Sequence, residues 1–209
     1  MTLWYLARAA GFAALFAASA SVILGALASG TRSHDAQSHD AQSHDAQSRD
    51  RRVLRQLAHR SAAIVTIAML ALHVTLLVLD RYVDVSLPGV LVPFTAGYRA
   101  FAVGLGSLAA YGLLVVALTG ATRGRLAASA RGARRWRAIH VSAYAVWVLA
   151  MGHGLLAGTD TGRWWSWTLY GGCAVSVLVA AWIRLGAVDA QHTSPLPTAR
   201  RQLTSGGVR

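Results

Sequence analysis

Residues 57–79 read LAHRSAAIVTIAMLALHVTLLVL, an apolar run that carries His59 and His73 and one further charge, Arg60. About twenty mostly apolar residues cross a hydrocarbon core of about 30 Å as a helix. The stretch therefore predicts a membrane-spanning helix with two ionisable imidazoles on it. Polar side chains at such positions are rare in membrane helices, and they usually face the interior and carry function.

Four further segments share this length and character: roughly 4–28, 100–119, 138–157 and 165–185. Of the 209 residues, 55% are hydrophobic and 13% are charged, about half the charged share of a soluble domain. We predict an all-α fold, a polytopic membrane bundle of five transmembrane helices. We place it as a multi-pass protein in the plasma (inner) membrane, surrounded by lipid.

The charges are unevenly distributed. All 20 basic residues are Arg and all eight acidic residues are Asp, with a net charge of +12. In a soluble protein this would suggest nucleic acid, but most of the arginines lie between the first and second spans, between the third and fourth, and after the fifth. The positive-inside rule then predicts an N-terminus outside, a cytoplasmic C-terminus and no nucleic-acid partner.

The first span also resembles a secretory signal peptide, because Ala26-Leu27-Ala28 precedes Ser29 as in a cleavage site. Cleavage there would leave the segment 29–56, with its five arginines, outside the membrane. That distribution contradicts the positive-inside rule. We predict that the first span is retained.

A low-complexity insert separates the first two spans. Residues 33–47 repeat Ser-His-Asp-Ala-Gln three times, with His34, His39 and His44. Each five-residue step would turn a helix by about 140° net, so the three imidazoles do not share a face. We therefore favour a disordered cytoplasmic loop within 30–55 over a metal site. Residues 187–209 are predicted to be a disordered cytoplasmic tail.

Four histidines fall on two spans: His59 and His73 on the second, His140 and His153 on the fourth. A rise of about 1.5 Å per residue separates the two histidines on each span by about 20 Å. Since both spans run in the same direction, His59 matches His140 in depth near the cytoplasm, and His73 matches His153 near the outside. Two imidazoles at one depth are the axial ligands that six-coordinate haem iron takes, so we predict two haems.

The two histidines of a span should point in similar directions, and this condition is met less well on the fourth span than on the second. At about 100° per residue, His59 and His73 point within about 40° of each other, whereas His140 and His153 differ by about 140°. Gly152 and Gly154 flank His153 and would permit a local distortion there, but the sequence gives no clean account of this angle.

Other roles for these histidines are less well supported. A proton relay would favour acidic residues inside the spans, but Asp80 and Asp189 lie only at span ends. A zinc site needs its ligands within a few ångströms of one another, not at two levels about 20 Å apart. Structural histidines that bond a neighbouring helix remain an alternative.

The chain resembles the ferric-reductase-like transmembrane domain family, which includes ferric reductases, NADPH oxidases and the bacterial haem subunit of a sulfoxide reductase system. The likeness covers roughly 4–186. It rests on His59 and His73 with thirteen residues between them, and on His140 and His153 with twelve. The stretches WYLAR at 4–8 and PFTAGYR at 93–99 look like those of small actinobacterial members.

The resemblance implies a transmembrane haem domain over 1–186 that binds two b-type haems, one between His59 and His140 and one between His73 and His153. It implies electron transfer from a cytoplasmic flavoprotein reductase or a quinol to an extracytoplasmic acceptor, either ferric iron or a partner protein. No glycine-rich phosphate loop follows the fifth span. We therefore expect a haem subunit of an oxidoreductase without its own flavin and NAD(P)H region.

Haem propionates need cationic partners, for which Arg60 and Arg137 are candidates at the inner level and Arg8 and Arg99 at the outer level. The alternative for these arginines is ordinary snorkelling at the interface. Two other functions stay open for the chain as a whole. One is a quinol-linked cytochrome of the b561 type, and the other is a non-redox membrane scaffold with structural histidines.

Overall fold

The structure, a computed structural model, describes residues 2–30, 43–80 and 85–192. Within these ranges the chain is almost entirely α-helical and has no β-strand. Its helices are α1 (Thr2–Gly30), α2 (Ser43–Leu79), α3 (Leu87–Leu91), α4 (Ala100–Ala121), α5 (Arg123–Leu126), α6 (Ala130–Val141), α7 (Ala143–Ala157) and α8 (Trp164–His192).

In the described part of the chain, five stretches are long and apolar enough to cross a membrane: Thr2–Ala28, Arg49–Leu79, Ala100–Ala121, Ala130–Ala157 and Trp164–Gly186. The fourth of them consists of α6 and α7 in succession. The predicted all-α bundle of five spans is thereby confirmed. Which end of the bundle faces the cytoplasm stays a prediction from the distribution of arginines.

The helices pack as two antiparallel pairs, α1 with α2 and α4 with α7, and α8 packs along α1. We name the two ends of the bundle by their charge. The arginine-rich end contains α5 and the exposed arginines of α6, and the arginine-poor end contains the start of α1 and the start of α8. Helices α2, α6 and α7 run from the first end to the second.

Two boundaries differ from the sequence prediction. Helix α2 begins at Ser43, well before the predicted span at 57–79, so the second half of the 30–55 segment is helical. Helix α8 continues to His192, into the predicted tail. Residues 31–42, which include His34 and His39, and residues 193–209 lie outside the described part of the chain.

A short segment folds back onto α4. The hydroxyl of Ser107 donates to the carbonyl of Val90, and the hydroxyl of Tyr111 donates to the carbonyl of Leu91. Both acceptors lie at the C-terminal end of α3, where helix carbonyls lack partners of their own. The side chains of α4 therefore satisfy backbone groups that cannot be left bare in hydrocarbon.

The most closely packed core lies between α1, α7 and α8, and its buried members are Leu15, Trp147, Met151, Tyr170, Cys173 and Val177. This core also contains a hydrogen bond between side chains, in which Trp147 Nε1 donates to Ser19 Oγ at 2.9 Å. The Ser19 hydroxyl in turn donates to the carbonyl of Leu15 at 2.8 Å. Both polar side chains are thus satisfied without water.

Replacing Ser19 with Ala should lower the free energy of unfolding by about 1 kcal/mol, because the buried Trp147 N–H loses its acceptor. Reversible unfolding in mixed micelles measures this. Thr168→Ala is the matched control, since that hydroxyl bonds Trp164 O within its own helix and is exposed. Equal stabilities for Ser19→Ala and the control would contradict the assigned role of this contact.

Candidate functional site

The four intramembrane histidines meet in two pairs, one near each end of the bundle. The ring centres of His59 and His140 are 6.0 Å apart with an angle of 72° between the ring planes. Those of His73 and His153 are 6.2 Å apart with an angle of 80°. These are the pairs that the depth of each residue predicted from the sequence.

The separation within each pair suits a metal between the two rings. A metal–nitrogen bond of about 2 Å on each side, and about 1.1 Å from each nitrogen to its ring centre, place the ring centres about 6.2 Å apart. Among the described residues, no group of three or more His, Cys, Asp or Glu side chains could hold a metal ion. Two imidazoles at this separation fit an iron ion whose other four ligands are the nitrogens of haem.

Three of the imidazoles are held by backbone carbonyls of the neighbouring helix. The Nδ1 contacts are His73 to Ala7 O at 2.7 Å, His153 to Ala102 O at 2.8 Å and His59 to Ser21 O at 2.9 Å. A carbonyl oxygen only accepts, so each Nδ1 carries the proton. The proton-free Nε2 is then the nitrogen open to a metal ion, and the hydrogen bond at Nδ1 orients the ring.

His140 is held differently. Its Nδ1 is buried without a hydrogen-bond partner, and its ring stacks on Trp136 with centres 4.9 Å apart and an angle of 17° between the planes. The indole is fixed in turn, since Trp136 Nε1 donates to Thr119 O at 3.0 Å and the guanidinium of Arg123 lies 4.9 Å from the indole centre. The two pairs are therefore not equivalent.

The rotation of the fourth span is adjusted at Ser142, not at the glycines beside His153. The Ser142 N–H bonds Ile139 O, only three residues earlier, at 3.1 Å, and this position separates α6 from α7. Such a turn advances about 120° per residue instead of about 100°, which adds rotation in the direction needed. Helix α7 is continuous through Gly152 and Gly154.

Arg8 forms an ion pair with Asp160 and lies 5.7 Å from the ring centre of Tyr5. These side chains border a cavity of about 610 Å³ at the arginine-poor end, between the starts of α1 and α8. Arg8 follows Ala7, whose carbonyl holds His73. Arg8 thus lies one residue from the carbonyl that holds His73, and its binding of a propionate stays a prediction.

The other three candidate arginines are exposed. Arg99 Nη1 donates to Leu156 O, near the end of α7, at 2.6 Å. Arg60 follows His59 directly, and Arg137 precedes His140 by three residues, with both side chains open at the arginine-rich end. The part of all three in binding a cofactor stays a prediction.

Sequence reasoning missed four glycines that face the imidazoles: Gly11 and Gly25 on α1, and Gly106 and Gly120 on α4. Each pair is fourteen positions apart, the same spacing as His59 and His73. That repeated spacing was the available signal. The carbonyl acceptors carried no signal, because every residue has one.

A scan against protein-family models finds no match, and searches of curated proteins and of solved structures find no similar chain. The resemblance to the ferric-reductase-like family is thus neither supported nor contradicted by them. It stays a prediction, and the arguments below rest on the geometry of this chain.

Nitrogen-15 NMR of histidine-labelled protein without cofactor should find a proton on Nδ1 of His59, His73 and His153 and, for His73 and His153, none on Nε2. Each is held in that tautomer by a backbone acceptor. Assignment comes from single His→Gln variants. A proton on Nε2 at His73 or His153 would overturn the hydrogen bonds described above.

Proposed function

We propose that this chain is the membrane-spanning haem subunit of an electron-transfer system, in which His59 and His140 would hold the iron of one b-type haem and His73 and His153 that of a second. The observation that carries the proposal is the pair of imidazole contacts, with ring centres 6.0 and 6.2 Å apart. Bound haem would supply reversible one-electron chemistry at each level.

The chain's own residues prepare both sites. Backbone carbonyls hold three imidazoles in the tautomer that leaves Nε2 free, which raises the basicity of the ligating nitrogen. The fourth imidazole is oriented by stacking on Trp136. All four imidazoles are partly buried between the helices.

The placement of the two pairs supports transfer across the bilayer. His59 and His73 are separated by about 21 Å along α2, against a hydrocarbon core of about 30 Å. One pair therefore lies in each half of the membrane. Between them, the Ser19–Trp147 contact and its apolar neighbours fill the bundle.

The donor enters, in this proposal, at the arginine-rich end. The exposed arginines of α6 there are Arg131, Arg134, Arg135 and Arg137. They would attract an acidic surface of a cytoplasmic flavoprotein reductase, and a quinol dissolved in the bilayer is the other donor. The acceptor outside is ferric iron or a partner protein. A membrane potential that is negative inside favours outward movement of an electron by about 2.3 kcal/mol per 100 mV across the full thickness.

A dithionite-reduced minus air-oxidised absorption spectrum of the detergent-purified protein should show b-type haem at about two per chain. Changing His73 or His153 to Ala should lower this to about one, because each variant removes one ligand of a single site. His39→Ala, in the repeat insert, is the control and should keep both.

A colourless protein after expression with ample haem would overturn the proposal and leave the scaffold function with structural histidines. Haem retained at two per chain in both His73→Ala and His153→Ala would contradict the assigned ligands. Reduction of the loaded protein by quinol alone, without a flavoprotein, would favour the cytochrome of the b561 type.

The two sites should differ in midpoint potential, with the His59–His140 site higher by about 60 mV or more, a tenfold change in a one-electron equilibrium. Both ligands of the other site donate to carbonyls, which favours oxidised iron, whereas His140 does not. The arginines near His140 also favour the reduced state.

A potentiometric titration followed optically measures both potentials. His140→Ala should remove the higher component and His153→Ala the lower one. Equal potentials, or the reverse assignment, would contradict the role given to the missing hydrogen bond at His140.

A further inference from the structure

Each intramembrane imidazole lies against a glycine of the neighbouring helix. A Cβ would lie 2.6 Å from His153 Nδ1 at Gly106, 3.0 Å from His73 Nδ1 at Gly11, 3.2 Å from His59 Cε1 at Gly25 and 3.6 Å from His140 Cε1 at Gly120. Real Cβ atoms essentially never approach another heavy atom closer than 3.0 Å. The contacts at Gly106 and Gly11 thus leave the least room for a side chain.

These glycines stand in a fixed relation to the carbonyls that hold the imidazoles. Three of them come four residues after the acceptor carbonyl on the same helix: Gly11 after Ala7, Gly25 after Ser21, and Gly106 after Ala102. Gly120 faces the one imidazole without such a bond. The hydrogen bond and the four-residue offset therefore occur together in three cases out of four.

Helix geometry explains this offset. The Cα–Cβ bond of a helical residue tilts toward the N-terminus, so a side chain covers the turn before its own position. The carbonyl of residue i is already bonded to the N–H of residue i+4, but its second lone pair is free. Only when residue i+4 is glycine does an imidazole from another helix reach that lone pair.

We propose that Gly11, Gly25 and Gly106 are positioning residues that open the carbonyls of Ala7, Ser21 and Ala102 to the Nδ1–H of the histidines. They thereby set the tautomer and the ring plane of each imidazole. The statement that these imidazoles are haem ligands rests on the proposed function, whereas the statement about tautomer and ring plane does not.

The ring planes give the proposal a spectroscopic readout. The two planes cross at 72° in one pair and 80° in the other. Low-spin ferric haem with nearly perpendicular axial imidazoles has an electron paramagnetic resonance signal with an unusually large highest g value. Parallel planes give a less anisotropic signal, so a change in ring orientation is visible site by site.

The test is Gly106→Ala in the haem-loaded full-length protein. The added methyl should push the His153 ring off the Ala102 carbonyl, shift the signal of the His73–His153 site and raise its midpoint potential, while the His59–His140 site keeps both values. Gly112→Ala is the matched control. Its Cβ would also clash across the α4–α7 contact, but with Val146 and not with a histidine, so it should lower stability and leave both signals unchanged.

Unchanged signal and potential in folded Gly106→Ala would overturn the proposal, as would an equal change in Gly112→Ala. If Gly106→Ala does not fold, Gly11→Ala gives the same readout at His73, where the neighbouring ring needs to move less. If the wild-type protein binds no haem, the proposed function fails separately. Nitrogen-15 NMR of His153 in Gly106→Ala then decides, since loss of the pure Nδ1–H tautomer supports the proposal and its retention overturns it.

Discussion

An imidazole N–H inside a hydrocarbon layer needs an acceptor, and the helix backbone is the acceptor that every neighbour offers. The rest of this structure depends on that requirement. His73 and His153 lie deep in the bundle, and each donates from Nδ1 to a carbonyl of the adjacent helix. Leaving such a donor without a partner would cost several kcal/mol in this environment. The same bond leaves Nε2 without a proton.

This requirement assigns different tasks to the helices. Helices α2, α6 and α7 carry the histidines, whereas α1 and α4 offer carbonyls and glycines to them. Each antiparallel pair, α1 with α2 and α4 with α7, thus contains one helix of each kind. The arrangement repeats at two levels along the bundle, with one pair of imidazoles at each level. The fourth histidine, held by stacking on Trp136, makes the two levels chemically distinct.

The pairing of His59 with His140 and of His73 with His153 could be predicted because rise per residue converts sequence position into depth. The turn at Ser142 could not, since its i to i+3 hydrogen bond depends on how α6 meets α7 rather than on a propensity. The ion pair of Arg8 with Asp160 joins residues far apart in sequence. No local sequence pattern predicts an ion pair between residues so far apart in the chain.

By itself, the sequence determined the five apolar spans, the uneven distribution of arginines and the depth of each histidine, because length, hydropathy and helical rise are local properties. Only the tertiary structure decided which carbonyl each imidazole bonds, and that Gly11 and Gly106 face the imidazoles of His73 and His153. A backbone acceptor exists at every residue. Whether another helix can reach it depends on the close approach of two surfaces, which no single segment encodes.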